Sequence, residues 1–109
     1  MRKIESQMCD AIRNQRDWHS GNTSVDQTDY GSVVRLHSNV IARIDHSQHR
    51  VFITDAGWQT ATTKSRLNAI LNAFTNGRGG IYQTRFVWHL TRGDMDHEMH
   101  RNEFYCVSM

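Results

Sequence analysis

The sequence predicts an α+β domain, a four- to five-stranded, mainly antiparallel sheet with two helices packed on one face. Three observations predict it. Two stretches repeat apolar residues at helical spacing. Between them lie short segments rich in Val, Ile and Leu, divided by turn residues. The length, 109 residues, suffices for one such core but not for two.

Residues 3–14 read as the first helix. Ile4, Met8, Ala11 and Ile12 fall on one stripe of a 3.6-residue period. Arg2, Lys3, Arg13 and Arg16 lie off it. Ser20-Gly21-Asn22 breaks the pattern.

The middle of the chain reads as strands. Ser24–Thr28 is a weak one. Ser32–His37 and Val40–Asp45 are separated by Ser38-Asn39, which suits a hairpin turn. That turn would set Leu36 opposite Ile41, Val34 opposite Arg43, Val33 opposite Ile44 and Arg35 opposite Ala42. Each face then carries apolar residues and one arginine, so the pattern leaves the core face open. Arg50–Thr54 follows as another strand.

The second helix has the clearest limits. Leu67, Ile70, Leu71 and Phe74 form its buried stripe. Thr60 is the best N-cap, with Thr62 and Thr63 as alternatives. Asn76-Gly77 supplies the left-handed stop. Ile81–His89 carries Tyr82, Phe86 and Trp88 and suits a strand. Residues 1–90 thus make the α+β domain. Residues 91–109 read as a polar C-terminal extension whose apolar run Phe104–Val107 is a candidate last strand.

Composition narrows the function classes. Thirteen basic and eleven acidic residues give a net charge of +2, too balanced to imply nucleic acid by itself. Seven histidines make the surface more cationic below neutral pH. Cys9 and Cys106 do not make a disulfide framework and read as free thiols of a cytosolic protein. No apolar run reaches the length of a membrane span, and the first residues lack the apolar core of a signal peptide. A core of this size is thin, so an exposed sheet edge or aromatic face would favour a homodimer.

The start of the second helix is the sharpest candidate site. Thr60, Thr62, Thr63, Lys64, Ser65 and Arg66 crowd hydroxyls and cations at the positive end of a helix dipole, where free N–H groups can hold a phosphate. Arg78 adds a cation beyond the helix. These are the polyanion-binding candidates. The plainer reading is a capped amphipathic helix with solvated flanks. Thr63-Lys64-Ser65 lacks the glycine run of a Walker loop. Trp18 and Trp58, with Arg35, Arg43 and Arg85, are the candidates for a partner surface. Bases stack on exposed indoles, although core packing is the commoner fate of tryptophan.

Asp94, Asp96, His97, Glu98 and His100 hold metal-ligating groups. The zincin pattern needs histidines at i and i+4, and here the second comes one residue early. No metal or cofactor is assigned, and no catalytic residue. A nucleophile built from either cysteine and a histidine has no spacing to support it.

Three blocks resemble a family of small accessory proteins of tailed, podovirus-type bacteriophages. They are Ile4…Met8…Ala11-Ile12…Trp18…Gly21-Asn22-Thr23…Val25, then Val34–Ala42, then Gly57–Ile70. Together they span roughly residues 1–75. The family pattern has Gly at Ser38 and Pro at Ala61. A proline at the first helical position supports Thr60 as the cap. Residues 90–109 have no counterpart in the resemblance. It implies a phage-encoded, non-enzymatic product in the cytoplasm of an infected bacterium. Such a protein would bind a host or phage macromolecule, in one form to inhibit a host or defence system. The alternative is a nucleic-acid-binding protein that uses residues 60–66, with Arg78 and Arg35, Arg43 or Arg85 facing phosphate.

Overall fold

The computed structural model describes residues 2–109 and has the α+β architecture. Helix α1 (Lys3–Arg13) buries Met8, Ala11 and Ile12 completely, and Ile4 half. Strands β1 (Trp18–Ser20), β2 (Thr23–Thr28), β3 (Gly31–Leu36), β4 (Asn39–Asp45) and β5 (Arg50–Ile53) follow. Helix α2 (Ala61–Phe74) comes next, then β6 (Gly79–Thr84), β7 (Val87–Arg92), β8 (Met95–Glu98) and β9 (Tyr105–Ser108).

The strands form two antiparallel sheets rather than one. The larger has the order β1-β2-β3-β4-β5-β9 and the smaller β6-β7-β8. The count exceeds the four or five expected for a physical reason. Ile81–His89 is not one strand but most of a hairpin, turned at Arg85-Phe86 with φ of 50° and 67°. Left-handed turns of this kind normally use Asn or Gly, so no turn signal marks these residues. The polar stretch after residue 91 supplies the end of β7, then β8 and β9. Strand β9 pairs with β5 at the edge of the larger sheet.

The β3–β4 register also differs from expectation. The turn is His37-Ser38, both left-handed, and Leu36 pairs with Asn39. A bulge then sets Arg35 opposite Val40 and Val34 opposite Ala42, with Ile41 as the extra residue. The expected register would have left one arginine on each face. The bulge sends Arg35 and Arg43 to the same outer face and leaves Val34, Ala42 and Ile44 inside. A buried, unpaired guanidinium is thereby avoided. Gly31 permits the close approach of β3 to β4, since a Cβ there would lie 2.0 Å from the Ile44 carbonyl oxygen.

The inner face of the larger sheet carries Val25, Val34, Ala42 and Ile53 in register, beside Ile44, Val51 and Val107. Both helices cover this face. Leu67, Ile70 and Leu71 of α2 are fully buried, while Phe74 is only partly covered, under the Arg13 guanidinium. The smaller sheet contributes Ile81, Trp88 and Leu90 to the same core. Asn68 fastens it to α2: its amide donates to the Ile81 carbonyl (2.9 Å), and its oxygen accepts from the Ile81 N–H (2.7 Å).

Candidate binding site

The start of α2 meets the β3–β4 turn and the β5–α2 loop at a cleft of about 410 Å³. Leu36, Ile41 and Ala56 give it apolar lining, and Trp58 stands beside them. His37, Asn39, Thr60, Thr62 and Thr63 supply the polar part.

Trp58 is 60% exposed, yet its backbone is held firmly. The preceding residues Ala56 and Gly57 are both left-handed, at φ 54° and 86°. Asp55, fully buried, organises them. Its Oδ1 accepts from the Gly57 N–H (2.7 Å) and the Asn102 N–H (2.9 Å), and its Oδ2 from the Gln59 side-chain amide (3.0 Å). The Trp58 N–H donates to the Asp55 carbonyl (2.9 Å). Gln59 also donates to the Met99 carbonyl (3.3 Å). Gly57 is favoured by its left-handed φ; a Cβ there would lie 2.9 Å from Asn102 Oδ1, the end of an exposed side chain that can turn away. An indole left in water forfeits a large burial gain. Here the neighbouring chain is fixed by a buried carboxylate, which is how a preorganised contact residue is supported.

The predicted helix-start residues do not act together. Thr60 is the N-cap: its Oγ1 accepts from the Thr63 N–H (3.1 Å) and lies 2.9 Å from the Thr63 hydroxyl. Thr63 is buried and Thr62 half-buried. Arg66, expected to face a polyanion, is turned into the interior at 4% exposure. Its Nη1 pairs with Glu5 Oε2 (2.8 Å) and its Nε donates to Thr23 Oγ1 (3.1 Å). Ser65 donates to the same Glu5 oxygen (2.6 Å). The reason is geometric: α1 packs on this flank of α2, and a guanidinium there needs a counter-charge. Lys64 is half-buried and has no polar partner among the described residues. Arg78 lies away from the cleft and donates to the Met109 carbonyl (3.2 Å).

The partner-surface candidates also divide. Trp18 is half-buried against the core and offers no free platform. Arg35 is paired with Asp26, and Arg43 lies 4.4 Å over the Phe52 ring, 3.9 Å from Asp45. Arg85 is exposed at the β6–β7 hairpin tip beside Phe86, which is 92% exposed. Of the five, Trp58 alone lines the cleft. Asp55, Leu36 and Ile41 also line the cleft, which their sequence positions do not mark. The sequence signal that exists is Asp55-Ala56-Gly57 directly after a strand, a side-chain-capped turn.

The acidic and histidine-rich segment spreads over β8 and its surroundings. Asp96 accepts from the Tyr82 hydroxyl, which pushes the Tyr82 pKa up, and lies 3.2 Å from His89 Nδ1. Tyr82 and His89 stack with ring centroids 5.0 Å apart. Among the described residues, no group of three His, Cys, Asp or Glu side chains is placed to hold a metal ion. Ser32 and His46 are 2.9 Å apart, but Ser32 is fully buried and its hydroxyl donates to Gln27. No helix among the described residues is long and apolar enough to cross a membrane.

A family model described as Kyanoviridae Gp96 protein matches residues 1–109. The chain belongs to that family. It is therefore a bacteriophage protein. Kyanoviridae are cyanophages of myovirus type, which corrects the podovirus-type affiliation expected from the sequence blocks. The Gp96 match also takes in residues 90–109, for which that resemblance offered no counterpart. No curated protein and no solved structure matches this Gp96-family chain significantly.

Proposed function

We propose that this phage protein is a non-enzymatic accessory factor that binds a host or phage protein through the Trp58 cleft. On this reading it acts in the cytoplasm of the infected bacterium, where such binding inhibits a host or defence system. The observation that carries the reading is the exposed Trp58 on a firmly held loop beside an apolar-lined cleft. Exposed aromatics at the centre of a contact surface supply most of the energy of many protein interfaces.

The nucleic-acid alternative is supported by Lys64, Arg78 and Arg85, which have no ion-pair partner among the described residues. It loses Arg66 to the interior, and Arg35 and Arg43 on the outer face are engaged by Asp26 and by Phe52 with Asp45. These three cations sit on separate segments, in α2, before β6 and at the β6–β7 turn, and give little of the concerted multi-phosphate contact on which such binding depends.

The test is recovery from infected cells of proteins crosslinked to the full chain through a photoreactive residue at position 58. One defined protein should be recovered, and a Trp58→Ala chain should not retain it without crosslinking. If nucleic acid is recovered instead, with retention that falls steeply with salt, the protein-binding reading is wrong.

A further inference from the structure

We propose that a second cleft, between the base of the β6–β7 hairpin and the edge strand β9, binds a small phosphorylated molecule through Arg78 and Arg92. This goes beyond the protein-binding reading and uses a different part of the fold.

The fold brings the two arginines to one place. The β6–β7 register sets Gly79 opposite Arg92, and just beyond it the Gly93 N–H donates to the Arg78 carbonyl (2.8 Å). Gly79 lets this hairpin base lie close to β9, since a Cβ there would sit 3.1 Å from Val107 Cγ1 and 3.0 Å from Leu71 Cδ2. The cleft that results measures about 280 Å³ and is lined by both arginines, Gly93, Cys106, Val107 and Ser108.

The lining is cationic with no counter-charge. None of its residues is acidic, and neither arginine takes part in an ion pair among the described residues. The chain matches other arginines with carboxylates: Arg66 with Glu5, Arg35 with Asp26, Arg13 with Asp10. Here each guanidinium makes a hydrogen bond to a main-chain carbonyl instead. Arg78 Nη1 donates to Met109 (3.2 Å) and Arg92 Nη1 to Cys106 (3.0 Å). These bonds aim the heads and leave most of their N–H donors unused. Arg92 is half-buried, and a guanidinium drawn out of water favours a ligand that supplies the missing charge. The Ser108 hydroxyl, also without a partner among the described residues, adds a donor.

The ligand class follows from the donors and the space. Guanidinium forks match phosphate oxygens in pairs, and two forks on one anion favour a multiply charged phosphoryl group over a single carboxylate. The anchoring carbonyls are three residues apart on an extended chain, about 10 Å, which sets the forks on either side of a diphosphate-sized anion. The volume lies near the lower end of small-molecule sites and leaves room for little beyond that group. A pair of arginines suits one such group, whereas a nucleic-acid strand draws its affinity from many phosphates.

The experiment is calorimetric titration of the full chain with inorganic pyrophosphate at constant ionic strength, with amide shifts followed by NMR. Pyrophosphate should bind one to one, and the shifts should centre on Gly93 and on Cys106, Val107 and Ser108. Arg78→Gln and Arg92→Gln should each weaken binding on the order of tenfold or more, the loss of a charge-assisted contact. Arg92→Lys should restore only part of it, because a point charge replaces a fork. Arg85→Gln, which removes a cation elsewhere, should leave binding unchanged. If Arg92→Gln does not fold, the exposed Arg78→Gln decides. No saturable binding would overturn the proposal, as would equal losses in Arg78→Gln and Arg85→Gln. If oligo-dT binds at these residues far more tightly than pyrophosphate, with affinity that grows with its length, the ligand is a nucleic-acid backbone and the proposal is overturned.

Discussion

Glu5 of α1 and Arg66 of α2 form a buried ion pair at 2.8 Å, with side chains 4% and 5% exposed. Ser65 and Thr23 complete its hydrogen bonds, so the network joins both helices to β2. Removing one partner leaves the other charged and dry. Glu5→Ala or Arg66→Ala should each lower stability by about 3–5 kcal/mol. Glu5→Met with Arg66→Met should cost far less than the two single losses combined, because neither charge is then stranded. Urea unfolding of the three variants measures this. Additive losses would show that the pair is not coupled.

Asp55 holds two backbone N–H groups that no other group satisfies, those of Gly57 and Asn102. Asp55→Ala should destabilise the fold by about 1–3 kcal/mol for the unsatisfied donors. The larger effect should be local. Amide exchange at Gly57 and Asn102 should accelerate beyond the global change, and Trp58 should lose its fixed placement. Asp55→Asn retains one carbonyl oxygen and should fall between. Uniform acceleration across all amides would mean that Asp55 has no special hold on this loop.

Ala61 is the first residue of α2, exposed, and preceded by Thr60 at φ −103° and ψ 162°. That extended conformation is the one a residue before proline prefers. A proline at the first helical position loses no intrahelical hydrogen bond. Ala61→Pro should therefore raise stability by about 0.4–1 kcal/mol, chiefly by restricting the unfolded chain. Thr60→Ala should act the other way by about 1 kcal/mol, through loss of the cap. Thermal or urea unfolding settles both signs.

Much of this fold can be read before any coordinates. The apolar stripes of α1 and α2 are periodic enough to fix both helices, and Thr60 and Asn76-Gly77 mark the limits of α2. What fails is hidden for identifiable reasons. Three of the left-handed turn sites, at His37-Ser38, Ala56 and Arg85-Phe86, use residues with no strong turn preference. Hence the residue pattern alone points to a different β3–β4 register and to a single strand where the β6–β7 hairpin lies. The inward turn of Arg66 is hidden for another reason. Helical spacing places a residue on a flank, but it does not say whether α1 or water covers that flank. Nor does it say that Glu5, beside an apolar stripe, waits there with the counter-charge. The cleft is legible only in part, because Leu36 and Ile41 come from a hairpin whose bulge leaves no mark in the pattern.

Cys9 lies on α1 against α2, 3% exposed, with its thiol directed at the Ala69 carbonyl (3.7 Å). Burial pushes its pKa up from 9.0 to about 11, with Arg13 opposing the rise and Glu5 and Asp10 adding to it. The thiol is thus retained in the folded chain over a range where the unfolded chain holds thiolate. Between pH 9.0 and about 11 the native state binds more protons than the unfolded state. Stability contributed by this group is full below pH 9.0 and is lost as pH rises toward 11. The difference in unfolding free energy between the native sequence and Cys9→Ala should accordingly be constant near neutrality and shift against the native sequence in that alkaline window. Iodoacetamide near neutral pH should leave Cys9 unmodified in the folded protein and label it once urea opens the core, as mass spectrometry of the Cys9 peptide would show. A flat difference across the window, or rapid labelling of the folded chain, would place Cys9 in water and not between the helices.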